Sequence, residues 1–258
     1  LNDTLSLLLN RKSVRAFEKT PVSEDVTNAI VDSALRAPTA GNMMLYTIIH
    51  VTRQSAKDSL AKSCDNQPFI ARAPLVLLFL ADYRRWHDYF VQSQAGEEGE
   101  EVRAPQEGDL FLACSDALIA AQTAVIAAES LGLGSCYIGD IMEHYEVHRE
   151  LFSLPDHVFP VSLVCFGYPT LQQKQRPLSS RFEKRFIVHR DTYRRLSAPE
   201  LAKMHKSREE EVFHGRQEVA GAHNLGQYIY RRKAGSDFSL EMQRSVREMI
   251  RAWRGSTT

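Results

Sequence analysis

Apolar positions change their period several times along this 258-residue chain. In "DTLSLLLNRKS" and "SEDVTNAIVDSALRAPT" they recur at helical spacing, the second through Val26, Ile30, Ala34 and Ala37, with Asp3 and Ser23 standing where N-caps belong. "LYTIIHVT" and "APLVLLFLAD" are short β-branched or continuously apolar runs that predict buried strands. Helical stretches are expected from Ala56 to Ser63 and from Tyr83 to Val91.

Residues 95–108, "AGEEGEEVRAPQEG", carry glycine, proline and acid but almost nothing that builds a core, and predict an exposed loop, either a solvated connector or a lid. "DLFLACSDALIAAQTAVIAAESLGLG" then predicts a long helix capped by Asp109 and ended by Gly132. It is apolar on nearly every face, which suits a core or a subunit interface. "SCYIGD" and "FPVSLVCFGYP" add two strands, with a helical "MEHYEVHRELF" between them. From Asp191 onward the chain is charged and helical, and its last helix presents Leu240, Val246, Met249, Ile250 and Trp253 as an apolar face.

Lys and Arg balance Asp and Glu at 32 each, so bulk electrostatics gives no reason to expect a nucleic-acid partner, and any anion must be met locally. Cys64, Cys114, Cys136 and Cys165 are scattered without metal-site spacing and read as buried free thiols. Asp116, Gln122 and Glu129 interrupt the long apolar helix and argue against a membrane span. A cytoplasmic enzyme or binding protein is the expectation.

Arg11, Ser13 and Arg15 offer guanidinium forks and a hydroxyl to phosphate oxygens. The alternative is that the arginines pair with surface acids such as Glu18, Glu24 or Asp25. Lys174 and Arg176 leave the strand that ends at Gly167 and form a second basic cluster, which either converges on the same anion or is a solvated loop. In "APTAGNM", Thr39 and Asn42 offer hydrogen bonds, and Gly41 admits a close backbone approach. "GLGSCYIGD" lacks dinucleotide-fingerprint spacing and leads to Gly139 and Asp140. No serine elbow is present, and His144 and His148 lack the glutamate of a metalloprotease helix and read as surface histidines.

Taken in order, Arg-x-Ser-x-Arg after a first helix, Ala-Pro-Thr-Ala-Gly-Asn ending a second, Gly-Leu-Gly before a strand ending Ile-Gly, and Lys-x-Arg beside Pro177 closely resemble the nitroreductase family over about residues 1–190. The resemblance implies an α+β fold: a central, mostly antiparallel sheet flanked by helices, in an intertwined homodimer with FMN at the interface. Residues 1–190 would form the FMN-binding domain and 191–258 a helical extension packing on the core or on the partner subunit. By the same resemblance Arg11 and Ser13 reach the FMN phosphate and ribityl chain with Lys174 and Arg176, and Arg15 lies at the pyrimidine edge. Gly139 and Asp140 turn backbone N–H groups toward the ring, Gln67 bonds the ring or ribityl chain, and Pro38, Thr39, Ala40 and Asn42 approach from the other subunit.

The implied activity is ping-pong reduction of nitroaromatic, quinone or flavin-like acceptors with NADH or NADPH. A fixed cation such as Arg15 would stabilise charge developing at N1 and O2. Met43, Met44, Leu45 and Tyr46 stand where many relatives carry Gln-Pro-Trp, which keeps open a specialised flavin enzyme performing dehalogenation or flavin fragmentation; a flavin-binding redox sensor with little turnover is a separate alternative.

Overall fold

The computed structural model describes residues 1–96 and 100–255. The acidic stretch expected as a loop lies partly outside these residues, and its last residues already belong to a helix. By compactness the chain forms two units, Leu1–Arg176 with Glu241–Thr258, and Pro177–Leu240. The boundary expected at residue 190 follows family resemblance; the contact boundary falls at Arg176, and most of the last helix returns to the first unit.

The first unit contains helices α1 (Asp3–Asn10), α2 (Glu24–Leu35), α3 (Gln54–Ser63), α4 (Pro68–Arg72), α5 (Arg84–Gln92), α6 (Glu107–Ser130), α7 (Tyr145–Phe152) and α8 (Leu171–Gln175). Its strands are β1 (Tyr46–His50), β2 (Leu75–Asp82), β3 (Gly134–Ile138) and β4 (Val158–Gly167). The strands form one sheet in the order β1-β2-β4-β3, antiparallel throughout. Phe79 pairs with both Ile48 and Ser162, and Cys136 lies opposite Cys165.

Both central strands are buried at every position, which explains why their sequences run apolar rather than alternating. Leu75, Leu77, Phe79 and Ala81 of β2 join one core cluster, while Val76, Leu78 and Leu80 join the other, as the two-residue period of a strand requires. α6 covers the first face. Ala113, Ala117, Ala120, Ala121, Ala124 and Ala128 are all fully buried there, and their small side chains let the helix axis approach the sheet closely. Among the described residues α6 is the one helix long and apolar enough to cross a membrane, but its alanine face is part of this core.

Two caps differ from expectation by one position or more. The side chain of Asn2, not Asp3, accepts from Leu5 N–H, and Asp3 serves as the acid of the first turn. On α6 the N-cap is Gln106, and Asp109 sits three residues inside as the reciprocal member of a capping box, accepting from Gln106 N–H at 2.9 Å. Ser23 caps α2 as expected.

The second unit contains α9 (Lys184–Ile187), α10 (Ala198–Phe213) and α11 (Leu225–Ile229). Phe186, Phe213, Ala222 and Leu225 are its buried apolar residues, too small a core for independent stability. The last helix, α12 (Asp237–Trp253), begins in that unit and ends in the first. Met249 and Trp253 are buried in the main core, and Trp253 Nε1 donates to Gln106 O at 3.0 Å. The apolar face is narrower than the sequence suggests: Leu240 is exposed and Val246 only half-buried, whereas Ser245 is fully buried. That serine bonds the backbone near the site described next.

Candidate functional site

Residues 11–17 leave α1 in extended form and run along the free edge of β3. Val14 N–H donates to Ser135 O at 2.8 Å within a parallel bridge of Ser13 to Ser135, and Phe17 bridges Pro169. A Cβ on Gly134 would stand 2.5 Å from Val14 Cγ2, and one on Gly167 would stand 2.9 Å from the Phe17 ring. These two glycines let the segment lie flat on the sheet edge, because any larger residue would push it off.

This placement brings the two basic clusters together. Lys12 Nζ donates to the carbonyls of Lys174 at 2.6 Å and Arg176 at 2.5 Å, and Arg176 Nη2 donates to the carbonyl of Ser13. Arg15 N–H donates to Gln173 Oε1 at 3.3 Å. Lys174 Nζ lies 3.6 Å from Glu18 Oε1, and both side chains are exposed. Arg11 does not pair with Glu18, Glu24 or Asp25; its Nε lies 3.7 Å from Glu129 Oε1 on α6. That contact is too long for a hydrogen bond, and Arg11 Nε is buried with no hydrogen-bond partner among the described residues, as is Thr170 Oγ1. Burial pushes the Glu129 carboxyl up, while Arg11 and the Ser135 hydroxyl pull it down.

The turn after β3 reaches the same region. Burial raises the Cys136 thiol, Arg15, Arg11 and Arg176 lower it, and Asp140 raises it, so all four charges surround one residue of β3. Gly139 opens the 3-10 turn Gly139–Met142, and a Cβ there would meet nothing within 4 Å. Gln67 Nε2 donates to Cys64 O at 3.0 Å and to Asp140 Oδ2 at 3.1 Å, which ties the loop after α3 to this turn. A buried guanidinium nitrogen without a hydrogen-bond partner, the four further cations Lys12, Arg15, Lys174 and Arg176, and open space over a glycine suit a phosphate-bearing planar group such as FMN.

Pro38, Thr39, Ala40 and Asn42 lie apart from the cation cluster. Their loop packs on the α6 side of the sheet, with Ala37, Ala40, Met43 and Met44 in that cluster, whereas Cys64 and Cys136 belong to the opposite one. Gly41, Asn42 and Met44 all hold φ between +51° and +57°. One side chain organises this conformation: Asp116, a buried carboxylate on α6, accepts from Thr39 Oγ1, from Ala40 N–H at 2.9 Å and from Leu45 N–H at 3.1 Å. Thr39 Oγ1 in turn accepts from Met44 N–H at 2.8 Å. Trp86 Nε1 and Arg85 Nη2 take up the Met43 and Met44 carbonyls. The predicted residues therefore fall into two separate groups on one chain.

Sequence reasoning missed four participants. Lys12 was passed over between the two arginines although it stitches the basic clusters together. Asp116 was read only as an argument against a membrane, yet a lone carboxylate in an alanine-rich helix is itself a signal of a buried polar task. His148 is fully buried rather than on the surface, whereas His144 is exposed and lies 3.2 Å from Glu241 Oε1. Ser245 gave no signal at all. The four cysteines are free, three of them buried and Cys114 half-buried. No metal-binding group of three or more His, Cys, Asp or Glu occurs among the described residues.

Comparison with known proteins identifies the family. The chain is 33% identical over 195 residues to the FMN reductase (NADPH) of Bacillus subtilis, covering 75% of each chain. It is 30% identical over 203 residues to the oxygen-insensitive NADPH nitroreductase of Salmonella typhimurium, covering 79% of this chain and 80% of that one. The solved structure of B. megaterium NfrA2 superposes with a TM-score of 0.80 at 26% identity, over 96% of this chain and 98% of the other. The model of the nitroreductase family matches residues 8–168, which include Arg11 to Arg15, the loop at Thr39 and all four strands but end before Lys174 and Arg176, and the chain belongs to that family.

Proposed function

We propose that this chain is an FMN-dependent NAD(P)H oxidoreductase that reduces nitroaromatic, quinone or flavin-like acceptors by a ping-pong, two-electron mechanism. The observation that carries the reading is a buried Arg11 Nε with no hydrogen-bond partner, next in the chain to Lys12 and Ser13, whose contacts bring in Lys174 and Arg176. When bound, FMN supplies the hydride chemistry.

Everything else is done by the protein's own groups. Arg11, Ser13, Lys174 and Arg176 hold the phosphate and ribityl end, with Arg11 Nε gaining the partner it lacks. Arg15, fixed by its backbone bond to Gln173, brings a positive charge to the pyrimidine edge, where it stabilises negative charge as it develops. Gly139 and Asp140 present backbone N–H groups toward the ring. Gln67 spends its amide protons on Cys64 and Asp140, so it turns an acceptor oxygen to the cofactor. No side chain in this set acts as an acid or base.

The second half-site, Pro38, Thr39, Ala40 and Asn42, completes the pocket of another subunit in a homodimer. Phe111, Leu112, Leu118 and Ile119 are exposed on α6 beside that loop's anchor, and the thin core of Pro177–Leu240 also calls for an external surface. The free cysteines suit a cytoplasmic setting. A visible absorption spectrum followed by anaerobic addition of NADPH and then NADH tests the reading. The expected result is a flavin spectrum that bleaches rapidly with at least one donor; protein that neither carries nor binds FMN overturns it.

A further inference from the structure

The turn Gly139–Met142 has no side-chain cap at its start, yet two distant elements meet its successive carbonyls. His148 on α7 is fully buried, with Nδ1 2.8 Å from Ile141 O and Nε2 2.8 Å from Ser63 Oγ. A carbonyl only accepts, so Nδ1 carries the proton; Nε2 is then the acceptor, and the Ser63 hydroxyl, which also lies 3.1 Å from Ser59 O, turns its one proton to the nearer ring nitrogen. Burial keeps the ring neutral, with its pKa pushed down to about 4. Ser245 on α12 is also fully buried, donates to Met142 O at 2.6 Å and accepts from Tyr145 N–H at 3.0 Å.

Each of these side chains has its bonds made inside apolar surroundings that include Ile141 and Tyr145. Buried polar groups cost free energy unless fully bonded, and once fully bonded they fix one geometry where apolar packing tolerates several. The geometry they fix is that of the backbone carrying Gly139 and Asp140. α12 is further tied to the segment after the turn by Glu241 Oε1, which accepts from His144 N–H at 3.2 Å, and by Arg244, whose Nη1 lies 2.7 Å from Glu146 Oε1.

We propose that His148 and Ser245 are positioning residues: together they clasp the Ile141 and Met142 carbonyls and so aim the N–H groups of Gly139 and Asp140 at the flavin. This rests on the FMN reading above. The clasp also joins the C-terminal helix to the flavin-facing turn, so α12 contributes to the site without touching the cofactor.

The test compares His148→Leu and Ser245→Ala with His148→Gln, whose amide can both donate and accept, and with Val125→Ala, a core truncation on α6 remote from the turn. Hydrogen exchange of the FMN-free protein, FMN affinity and the visible flavin bands are measured alongside thermal stability. Expected for His148→Leu and Ser245→Ala are faster exchange within Gly139–Met142, FMN binding weakened about tenfold, and displaced flavin bands. His148→Gln recovers most of each effect, and Val125→Ala lowers stability while leaving turn exchange and flavin bands unchanged. Ser245→Ala, which removes one hydroxyl, carries the test if His148→Leu does not fold. Wild-type protein that binds no FMN overturns the cofactor reading and this one with it. Wild-type protein that binds FMN while the clasp variants behave like Val125→Ala overturns the clasp alone.

Discussion

The segment 11–18 and the loop 38–45 are held by opposite means. Residues 11–18 are fixed by backbone bonds of Val14 to Ser135, Ala16 to Thr170 and Glu18 to Tyr168, by Lys12 on two carbonyls, and by two glycines that leave room for Val14 and Phe17. Residues 38–45 make a tight loop through left-handed backbone, and Asp116 is the carboxylate on which it turns. Distributed anchoring loses little when one bond goes; a single buried charge loses much. The first design suits a segment that must present cations in fixed positions, and the second lets a short loop project toward another molecule.

The contrast is most exposed to Asp116→Ala. It leaves the donors of Thr39, Ala40 and Leu45 without their acceptor, and is expected to cost about 3–5 kcal/mol in urea unfolding and to abolish FMN binding through loss of the loop. A cost below about 1 kcal/mol would mean that the loop is distributed after all.

Next in size is Gly134→Ala, where the new Cβ overlaps Val14, with an expected cost of about 1–3 kcal/mol. Adding Val14→Ala removes both Cγ overlaps but leaves the Val14 Cβ 2.8 Å from the new methyl, so it should recover only part of the cost, and a double-mutant cycle without coupling would show that the strand edge tolerates the segment elsewhere.

Arg11→Ala is expected to leave stability within about 1 kcal/mol, because its Nε makes no hydrogen bond in the protein, while weakening FMN by roughly 10- to 150-fold. Isothermal titration calorimetry separates the two effects. Equal loss of stability and affinity would place Arg11 among structural ion pairs instead.

The smallest effects concern pH. Glu143 is buried beside Asp140 and Asp65, and burial first, then those charges, raise its carboxyl from 4.5 to about 7. The folded state therefore holds this proton more tightly than the unfolded one, and stability falls as pH rises through that window. His148 has the opposite sign: its pKa drops from 6.5 to about 4, so the unfolded state binds the proton and stability rises with pH between those values. The two largely cancel in the wild type. Glu143→Gln should leave a stability that climbs from pH 4 to 6.5, and His148→Gln one that declines from pH 4.5 to 7; parallel profiles for the two variants would refute the assignment.

Much of the molecule was legible in its sequence, for reasons that differ by element. β2 and β4 announce themselves because a strand covered on both faces runs almost entirely apolar, and α6 because its alanines repeat on a helical period. The Arg11 and Arg176 clusters were legible as chemistry but not as neighbours. Their meeting depends on an edge pairing between Ser13 and Ser135, and no local pattern encodes a pairing across that separation. His148 and Ser245 were misread or overlooked because polarity predicts exposure on average, and only the neighbours of a buried polar group reveal that its bonds are satisfied.

By itself the sequence determined the strands, the long core helix and the residue types able to grip a phosphate, because periodicity, propensity and side-chain chemistry are local properties, whereas the α+β class came from the family resemblance. Tertiary structure alone decided which cation is left without a partner, that Asp116 holds the loop at Thr39, and that α12 reaches back to the turn at Met142. Those outcomes depend on distances between residues far apart in the chain, and such distances exist only once the sheet has closed and its faces are covered.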